Sequence, residues 1–305
     1  MKSRVILSLG LAVLAGVSLV PPALAVTMSW TSIGNANNAA DTTGYGSVNH
    51  AYNIGTYEVT NAQYVEFLNA KGSSNSAGIY NATMGTTGAY GSNIVQGGSS
   101  GSYTYSVSST YANMPVVGVT WFDAARFSNW LGNGQGNGDM ETGAYTLNGA
   151  TSGNAVDKNS TATVYIPSEN EWYKAAYYNG TTSTYSLYPN GQNSITTAEA
   201  NCDFSVGHTT AVGTYSGAAS SYGTFDQGGN AWEWNDLNAV SGSSRGLRGG
   251  SWINNGLTLA SSSRYLYVPS LVSGYVGFRV ASVPEPSAMV LTIFASGMML
   301  TRRKR

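Results

Sequence analysis

Apolar residues recur at helical spacing in three short stretches of the chain. Each stretch opens with a capping box, in which a hydroxyl residue is followed three positions later by a side chain that can bond back to the helix start. The boxes begin at Thr60, Thr120 and Ser168. The residues that then fall on one face are Tyr64, Val65 and Leu68; Ala124, Phe127 and Leu131; and Trp172, Ala175 and Ala176. This pattern predicts three amphipathic helices that bury those faces.

Short apolar runs typical of strands flank the predicted helices, at residues 52–59, 115–119, 163–166 and 277–281. Tracts rich in Gly, Ser, Thr and Asn separate them, at about residues 72–112, 132–160 and 179–224, and show no helical period. Such tracts predict long surface loops, which often carry binding function. Few helices, short strands and much irregular chain together predict an α+β domain.

The N-terminal 25 residues have the three parts of a secretory signal peptide. Lys2 and Arg4 supply the charged start, residues 5–20 are apolar, and Ala23-Leu24-Ala25 is a small-x-small cleavage site. A buried helix is the alternative interpretation. We therefore expect export, with removal of residues 1–25 by signal peptidase.

The C-terminal residues 283–305 also have three parts in a fixed order. Val283-Pro284-Glu285-Pro286 precedes an apolar run over 288–300, and the chain ends in Arg302-Arg303-Lys304-Arg305. This order resembles the PEP-CTERM sorting signal of Gram-negative bacteria, which an exosortase recognises. The resemblance implies a brief anchorage in the inner membrane by the apolar helix, then release to the cell surface or extracellular matrix. A permanent tail anchor is the alternative.

The intervening residues 26–282 form the predicted domain, and their charge restricts its partners. Only 10% of the 305 residues are charged. Residues 26–283 contain 8 basic and 14 acidic residues, a net charge of −6. Nucleic acid requires a basic face, so we do not expect it as a partner. The single cysteine, Cys202, excludes an internal disulfide.

Five ordered sequence motifs between residues 52 and 281 resemble the sulfatase-modifying-factor, or formylglycine-generating enzyme, family. The motifs are YEVTNAQY at 57–64, PVV at 115–117 with WFDAA at 121–125, IPSENEW at 166–172, GNAWEW at 229–234, and LRGGSW at 247–252 with GFRV at 277–280. The resemblance implies a C-type-lectin-like α+β fold with little regular secondary structure. The motif tryptophans also suit a core, and Arg248 and Arg279 could pair with Glu233 or Asp236.

The catalytic metal ligands implied by the resemblance are missing from the chain. The family oxidises a substrate cysteine to formylglycine with copper held by two cysteines, and those positions are here Asn254 and Leu259. Amide and aliphatic side chains offer no thiolate to copper(I). A related branch, the iron-dependent sulfoxide synthases, uses three histidines, whereas this chain has only His50 and His208. We therefore expect no catalytic residues, no copper and no iron.

A calcium site is the metal centre that the resemblance does imply. The family holds one Ca²⁺ around the GNAWEW motif, at positions matching Asp226, Gly229, Ala231 and Glu233. Carboxylate and carbonyl oxygens suit this hard cation. The alternative is that Glu233 simply pairs with an arginine. A second family calcium site begins at the position of Asn201, although the loop that follows is shorter here and lacks a clear partner acid.

These features lead to three functional hypotheses. The first is an exported, non-catalytic protein of the cell surface or matrix that binds a peptide or glycan through Trp232, Arg248 and Ser251. The second is a formylglycine-generating oxidase, or another oxidase, on the same scaffold. The third is a tail-anchored membrane protein.

Overall fold

The computed structural model describes residues 25–284 of the chain. Nearly all of the predicted signal peptide and most of the predicted sorting tail lie outside these residues, at 1–24 and 285–305. Every helix within residues 25–284 is too short or too polar to span a lipid bilayer.

Three of the helices in the described part exceed one turn, and they are the three that the sequence predicts. The helices are α1 (Asn61–Lys71), α2 (Ala82–Gly85), α3 (Ser109–Ala112), α4 (Trp121–Gly132), α5 (Glu169–Tyr177) and α6 (Gly256–Leu259). All three predicted capping boxes form, each with both reciprocal hydrogen bonds. The predicted apolar faces of these helices are buried, except for the half-buried Leu131.

The strands are short, as expected, and most belong to two four-stranded sheets. They are β1 (Trp30–Ile33), β2 (Tyr52–Gly55), β3 (Val95–Gly97), β4 (Thr104–Ser106), β5 (Val164–Tyr165), β6 (Tyr178–Asn179), β7 (Thr184–Tyr185), β8 (Trp232–Asn235), β9 (Arg245–Arg248), β10 (Tyr265–Tyr267), β11 (Val276–Phe278) and β12 (Ala281–Ser282). The first sheet has the order β1-β2-β12-β5 and is antiparallel. The second has the order β10-β9-β8-β11, with β11 parallel to β8.

The predicted strand at 115–119 is wrong. All of its residues are buried, but their backbone hydrogen bonds go to separate segments of the chain. Val116 N–H donates to the Val59 carbonyl, Val117 N–H to the Ser92 hydroxyl, and Gly118 N–H to the Ser273 and Val276 carbonyls. A segment whose amide partners lie on three different parts of the chain cannot form a ladder with one strand.

The predicted strand at 277–281 is two strands in different sheets. β11 lies in the second sheet and β12 in the first, so the chain between them connects the two sheets. The predicted loop at 72–112 likewise contains α2, α3 and the β3–β4 hairpin. Helices of four residues and strands of three are too short to show a periodic pattern of apolar residues in the sequence.

Candidate functional site

An open cleft of about 290 Å³ lies on one face of the second sheet. Three side chains point to this face: Trp232 on β8, Leu247 on β9 and Tyr265 on β10. Leu247 pairs with Tyr265 on one side and with Trp234 on the other, and Trp232 shares the face of Trp234 because it lies two positions away on the same strand. The residues that line the cleft are Trp232, Leu247, Ile253, Asn254, Tyr265, Tyr267, Leu271, Ser273, Tyr275 and Val276.

Three aromatic rings form one wall of this cleft. The Trp232 and Tyr265 ring centroids are 5.1 Å apart in an edge-to-face arrangement, and those of Tyr265 and Tyr267 are 6.5 Å apart and nearly parallel. Tyr265 and Tyr267 are 47% and 43% exposed. They lie two positions apart on β10, which places both side chains on the same face of the strand. Large aromatic rings left exposed side by side indicate a binding surface.

The aromatic surface continues beyond the cleft through Tyr275. Its ring centroid lies 5.6 Å from that of Tyr90 and 5.8 Å from that of Trp252. Trp252 in turn contacts Phe204 edge-to-face, at 5.7 Å. Tyr90 and Phe204 are exposed, whereas Trp252 is buried beneath them. The cleft is therefore one part of a longer aromatic surface.

Of the three predicted ligand residues, only Trp232 lines the cleft. The buried Arg248 donates to Glu169 at 2.8 Å and to the Ser261 and Ser263 carbonyls, and its guanidinium carbon lies 4.7 Å from the Tyr45 ring centroid. The buried Ser251 donates its hydroxyl to Asn254 Oδ1 at 2.8 Å and so orients a residue of the cleft.

Sequence reasoning missed the cleft tyrosines, Tyr265, Tyr267 and Tyr275. The run Tyr265-Leu266-Tyr267-Val268 could have revealed the first two, since aromatic residues alternate there with aliphatic ones. No local pattern places Tyr275 beside them.

The two family copper positions lie in different surroundings. Asn254 lines the cleft, and its side-chain oxygen accepts from Ser251 N–H and Oγ. Leu259 is fully buried and packs in one apolar cluster with Cys202, Tyr188 and Ala260. Burial raises the pKa of the Cys202 thiol, which disfavours the thiolate that a metal requires. These side chains do not fit the family's copper site.

Glu233, the predicted calcium ligand, is completely buried against Arg279. Arg279 Nε donates to Glu233 Oε2 at 2.5 Å and Nη2 to Oε1 at 2.6 Å, and Trp172 Nε1 donates to Oε2 at 2.7 Å. The alternative expectation, pairing with an arginine, is therefore present. Arg248 and Asp236 have other partners, Glu169 and Arg245. A calcium ion at this place would share Glu233 with a guanidinium.

The other predicted calcium positions all precede Glu233 in the chain. Asp226 Oδ2 accepts from Gly213 N–H at 2.6 Å. Gly229 has φ +84°, and a Cβ there would lie 2.3 Å from the Asn201 carbonyl oxygen, so the turn requires glycine. Buried Asn201 keeps its side-chain oxygen without a hydrogen-bond partner among the described residues. Those residues also contain no group of three or more acidic, His or Cys side chains placed to hold a metal.

A third carboxylate, Glu58, is buried near Asp226 and Glu233. Its Oε1 accepts from Asn230 Nδ2 at 3.1 Å, while Oε2 has no partner within residues 25–284. Burial raises the pKa of Glu58 well above its usual range, and the charges of Asp226 and Glu233 raise it further. Burial also raises the pKa of Asp226, to about 6. Three buried carboxylates thus share one arginine.

Comparison with known proteins identifies the family and fold. The sulfatase-modifying factor enzyme 1-like domain matches residues 25–283. The structure resembles Treponema denticola variable protein 1, with a TM-score of 0.55 and 23% identity over 85% of this chain and 96% of that one. It also resembles the crystal structure of CarF, with a TM-score of 0.56 and 19% identity over 85% and 99% of the two chains. At these identities the likeness concerns the fold.

Curated relatives are longer than this chain. Over an alignment 255 positions long, the chain is 26% identical to the serine/threonine-protein kinase pkn1 of Chlamydia caviae and equally to that of Chlamydia pneumoniae. The match covers 76% of this chain and 33% of each kinase. The chain thus spans about a third of these relatives' length. Since the domain match extends over nearly all described residues and the fold agrees with it, the chain belongs to the family of the sulfatase-modifying factor enzyme 1-like domain.

Proposed function

We propose that the chain is an exported, non-catalytic member of this family that binds a peptide or glycan at the cell surface or in the extracellular matrix. The aromatic cleft carries the proposal. Tyr265 and Tyr267 expose large rings beside Trp232 in a concave site, which is the composition typical of small-ligand and segment binding. Asn254 and Leu259, at the family's copper positions, offer no thiolate.

A capture experiment with one matched variant tests this proposal. The full chain is purified in mild detergent, immobilised, and incubated with the extracellular matrix fraction of the cells that naturally produce it. We expect it to retain a matrix component that Trp232→Ala no longer retains. Trp30→Ala is the control, because Trp30 is 38% exposed on β1 in the other sheet and should leave capture unchanged. If the wild type retains nothing, or if both variants behave alike, the proposed function is wrong.

An oxidase is the second candidate, favoured by family membership alone. The full chain would be incubated with Cu(I), oxygen and a sulfatase-type cysteine peptide, and aldehyde formation measured. We expect no aldehyde above a control that contains the metal without protein. Formation well above that control would replace the binding proposal with an enzymatic one.

Export and processing form a separate part of the proposal, supported by the order of sequence features at both ends. Signal peptidase would remove residues 1–25, and an exosortase would process residues 283–305 after transient anchorage in the inner membrane. Mass spectrometry of the mature protein should find neither residues 1–25 nor the basic end. Recovery of residues 288–305 in the mature protein would instead support the tail-anchored alternative.

A further inference from the structure

We propose that the aromatic cleft takes a neutral glycan chain, which names the ligand class of the binding function proposed above and rests on it. Charge is the first argument. Within residues 25–284, no side chain that lines the cleft is ionisable at neutral pH apart from the weakly acidic tyrosines. Arg264, which directly precedes Tyr265, donates to both carboxylate oxygens of Glu169 at 2.8 Å. The cleft thus offers no counter-ion to an acidic or a basic ligand.

The charge of the whole domain acts in the same direction. Residues 26–283 carry a net charge of −6, so the surface repels polyanions such as uronate-rich polysaccharides. A polycation would be attracted to the domain, but it would find no carboxylate in the cleft with which to pair. A neutral ligand is not repelled by the domain and needs no charged partner in the cleft.

Uncommitted hydrogen-bonding groups are the second argument. Asn254 uses its side-chain oxygen for Ser251, which leaves its NH₂ group facing no hydrogen-bond acceptor among the described residues. Within the same part of the chain, the Tyr265 and Tyr267 hydroxyls and the Trp232 indole N–H also make no hydrogen bond to protein. Four polar groups therefore border the aromatic wall without a protein partner among residues 25–284 and can bond to a ligand.

This combination distinguishes a sugar from an apolar peptide side chain. A pyranose ring has C–H groups that pack on an aromatic face and hydroxyls around its edge that can bond to Tyr, Asn and Trp groups. An apolar side chain would cover the rings equally well, but it would leave those polar groups buried without a hydrogen-bond partner, which is unfavourable. The cleft's chemistry therefore favours the glycan.

The extent of the aromatic surface indicates a chain of several sugars. Tyr275 belongs both to the cleft and to the cluster formed with Tyr90 and Trp252. Exposed Phe204 lies at the far side of Trp252. A ligand longer than the cleft would keep contacting exposed rings along this surface, so affinity should rise with the length of the glycan.

Affinity electrophoresis tests the ligand class. The full chain is run in native gels that contain either the neutral or the acidic fraction of the host's extracellular polysaccharide, separated by anion exchange. We expect retardation by the neutral fraction only, weakened on the order of tenfold or more in Tyr265→Ala/Tyr267→Ala and unchanged in Trp30→Ala. Short oligosaccharides made by partial hydrolysis of the neutral fraction should compete more weakly for the cleft than the intact polysaccharide does. Retardation by the acidic fraction alone, or by neither, overturns the inference.

A conservative double variant separates glycan from apolar peptide. Tyr265→Phe/Tyr267→Phe keeps both rings and removes both hydroxyls, so glycan binding should weaken by about two- to tenfold for each hydroxyl that bonds a sugar. Binding that is unchanged or tighter in this variant would mean that the rings alone hold the ligand, which contradicts the inference.

An extension of the capture experiment tests the glycan ligand separately from the binding function. The component retained in a Trp232-dependent manner is treated with periodate or with proteinase K before capture. Loss after periodate supports the glycan. Loss after proteinase K alone leaves the binding function intact and overturns the glycan, whereas absence of any Trp232-dependent capture overturns the binding function itself.

Discussion

The buried carboxylate of Glu233 has two possible roles, as the partner of an arginine or as a calcium ligand. Both of its oxygens accept hydrogen bonds from Arg279, and one also accepts from Trp172. The nearby Glu58 and Asp226 bring further negative charge into the same buried region. Three carboxylates against one guanidinium leave an excess of negative charge that a divalent cation or bound protons can relieve.

Calcium is the first of these possibilities and gives a prediction at this residue. Extracellular calcium modules have Kd values of roughly 10⁻⁴–10⁻³ M, so about 1 mM calcium should stabilise the folded protein by about 0.4–1.4 kcal/mol. We expect calcium to raise the melting temperature of the full chain over that in EDTA. Glu233→Gln should lose most of that rise. Equal melting temperatures in calcium and in EDTA would leave Glu233 as the partner of Arg279 only.

Protonation is the second possibility and predicts a pH dependence that Asp226 controls. Its pKa is about 6 in the fold, above the ordinary value of 3.8, because burial disfavours the carboxylate. A raised folded-state pKa contributes stability that is complete below about pH 4 and is lost as the pH rises through about 6. Asp226→Asn keeps an oxygen that can accept from Gly213, and it removes this titration.

Chemical denaturation in EDTA at pH 4.5 and pH 7.5 measures the effect of Asp226. The wild type should lose more free energy of unfolding between these pH values than Asp226→Asn, and the variant should be the more stable protein at pH 7.5. Glu171 has a pKa lowered to about 2, so its own contribution is lost only in stronger acid and does not interfere. Identical pH profiles for the two proteins would show that Asp226 is not the group that titrates.

At the scale of elements, the N-terminal capping hydrogen bonds contribute to the stability of the few long helices. Thr120 caps α4, the helix that packs nearly its whole length into the core. Its hydroxyl accepts from Asp123 N–H at 3.1 Å, and Asp123 Oδ2 accepts from Thr120 N–H at 2.9 Å. Removing the hydroxyl breaks one half of this reciprocal pair.

Thr120→Ala should lower the free energy of unfolding by about 1 kcal/mol, within a range of about 0.5–2. Ser108→Ala is the matched control, since Ser108 occupies the N-cap position of α3 but makes no side-chain cap hydrogen bond. Urea denaturation of both variants measures the difference. A loss as large at Ser108 as at Thr120 would mean that the cap hydrogen bond is not what stabilises α4.

At the scale of the whole molecule, buried ion pairs join segments that are distant in sequence. Glu169, the first residue of α5, binds Arg248 of β9 and Arg264, which precedes β10. These contacts fasten the helix to the sheet that carries the cleft. Both guanidinium groups also lie near the Tyr45 ring, with their central carbons 4.7 Å (Arg248) and 5.3 Å (Arg264) from its centroid.

Glu169→Gln should therefore destabilise the whole domain. Removing one partner of a buried pair leaves an uncompensated charge and costs about 3–5 kcal/mol, and Arg248 is fully buried. Glu66→Gln is the control, because Glu66 lies on α1 and forms no ion pair among the described residues. Thermal unfolding followed by circular dichroism gives the comparison. Comparable unfolding of the two variants would mean that the Glu169 contacts add little.

The sequence by itself determined those features that depend on neighbours along the chain. Helix starts at Thr60, Thr120 and Ser168 follow from capping residues three positions apart, and the family follows from five ordered motifs. The α+β class, with short strands and long loops, was likewise predicted. Trp232, proposed from the sequence as a ligand residue, lines the cleft, and its role there stays a prediction.

The tertiary structure decided which distant residues meet. Arg248 was expected at the cleft but pairs with Glu169, and the segment 115–119 divides its hydrogen bonds among three partners instead of forming a strand. Tyr275 and Tyr90, 185 positions apart in the numbering, share one aromatic surface. Long-range contacts of this kind depend on how the loops close, and no local pattern of apolar and polar residues encodes that closure.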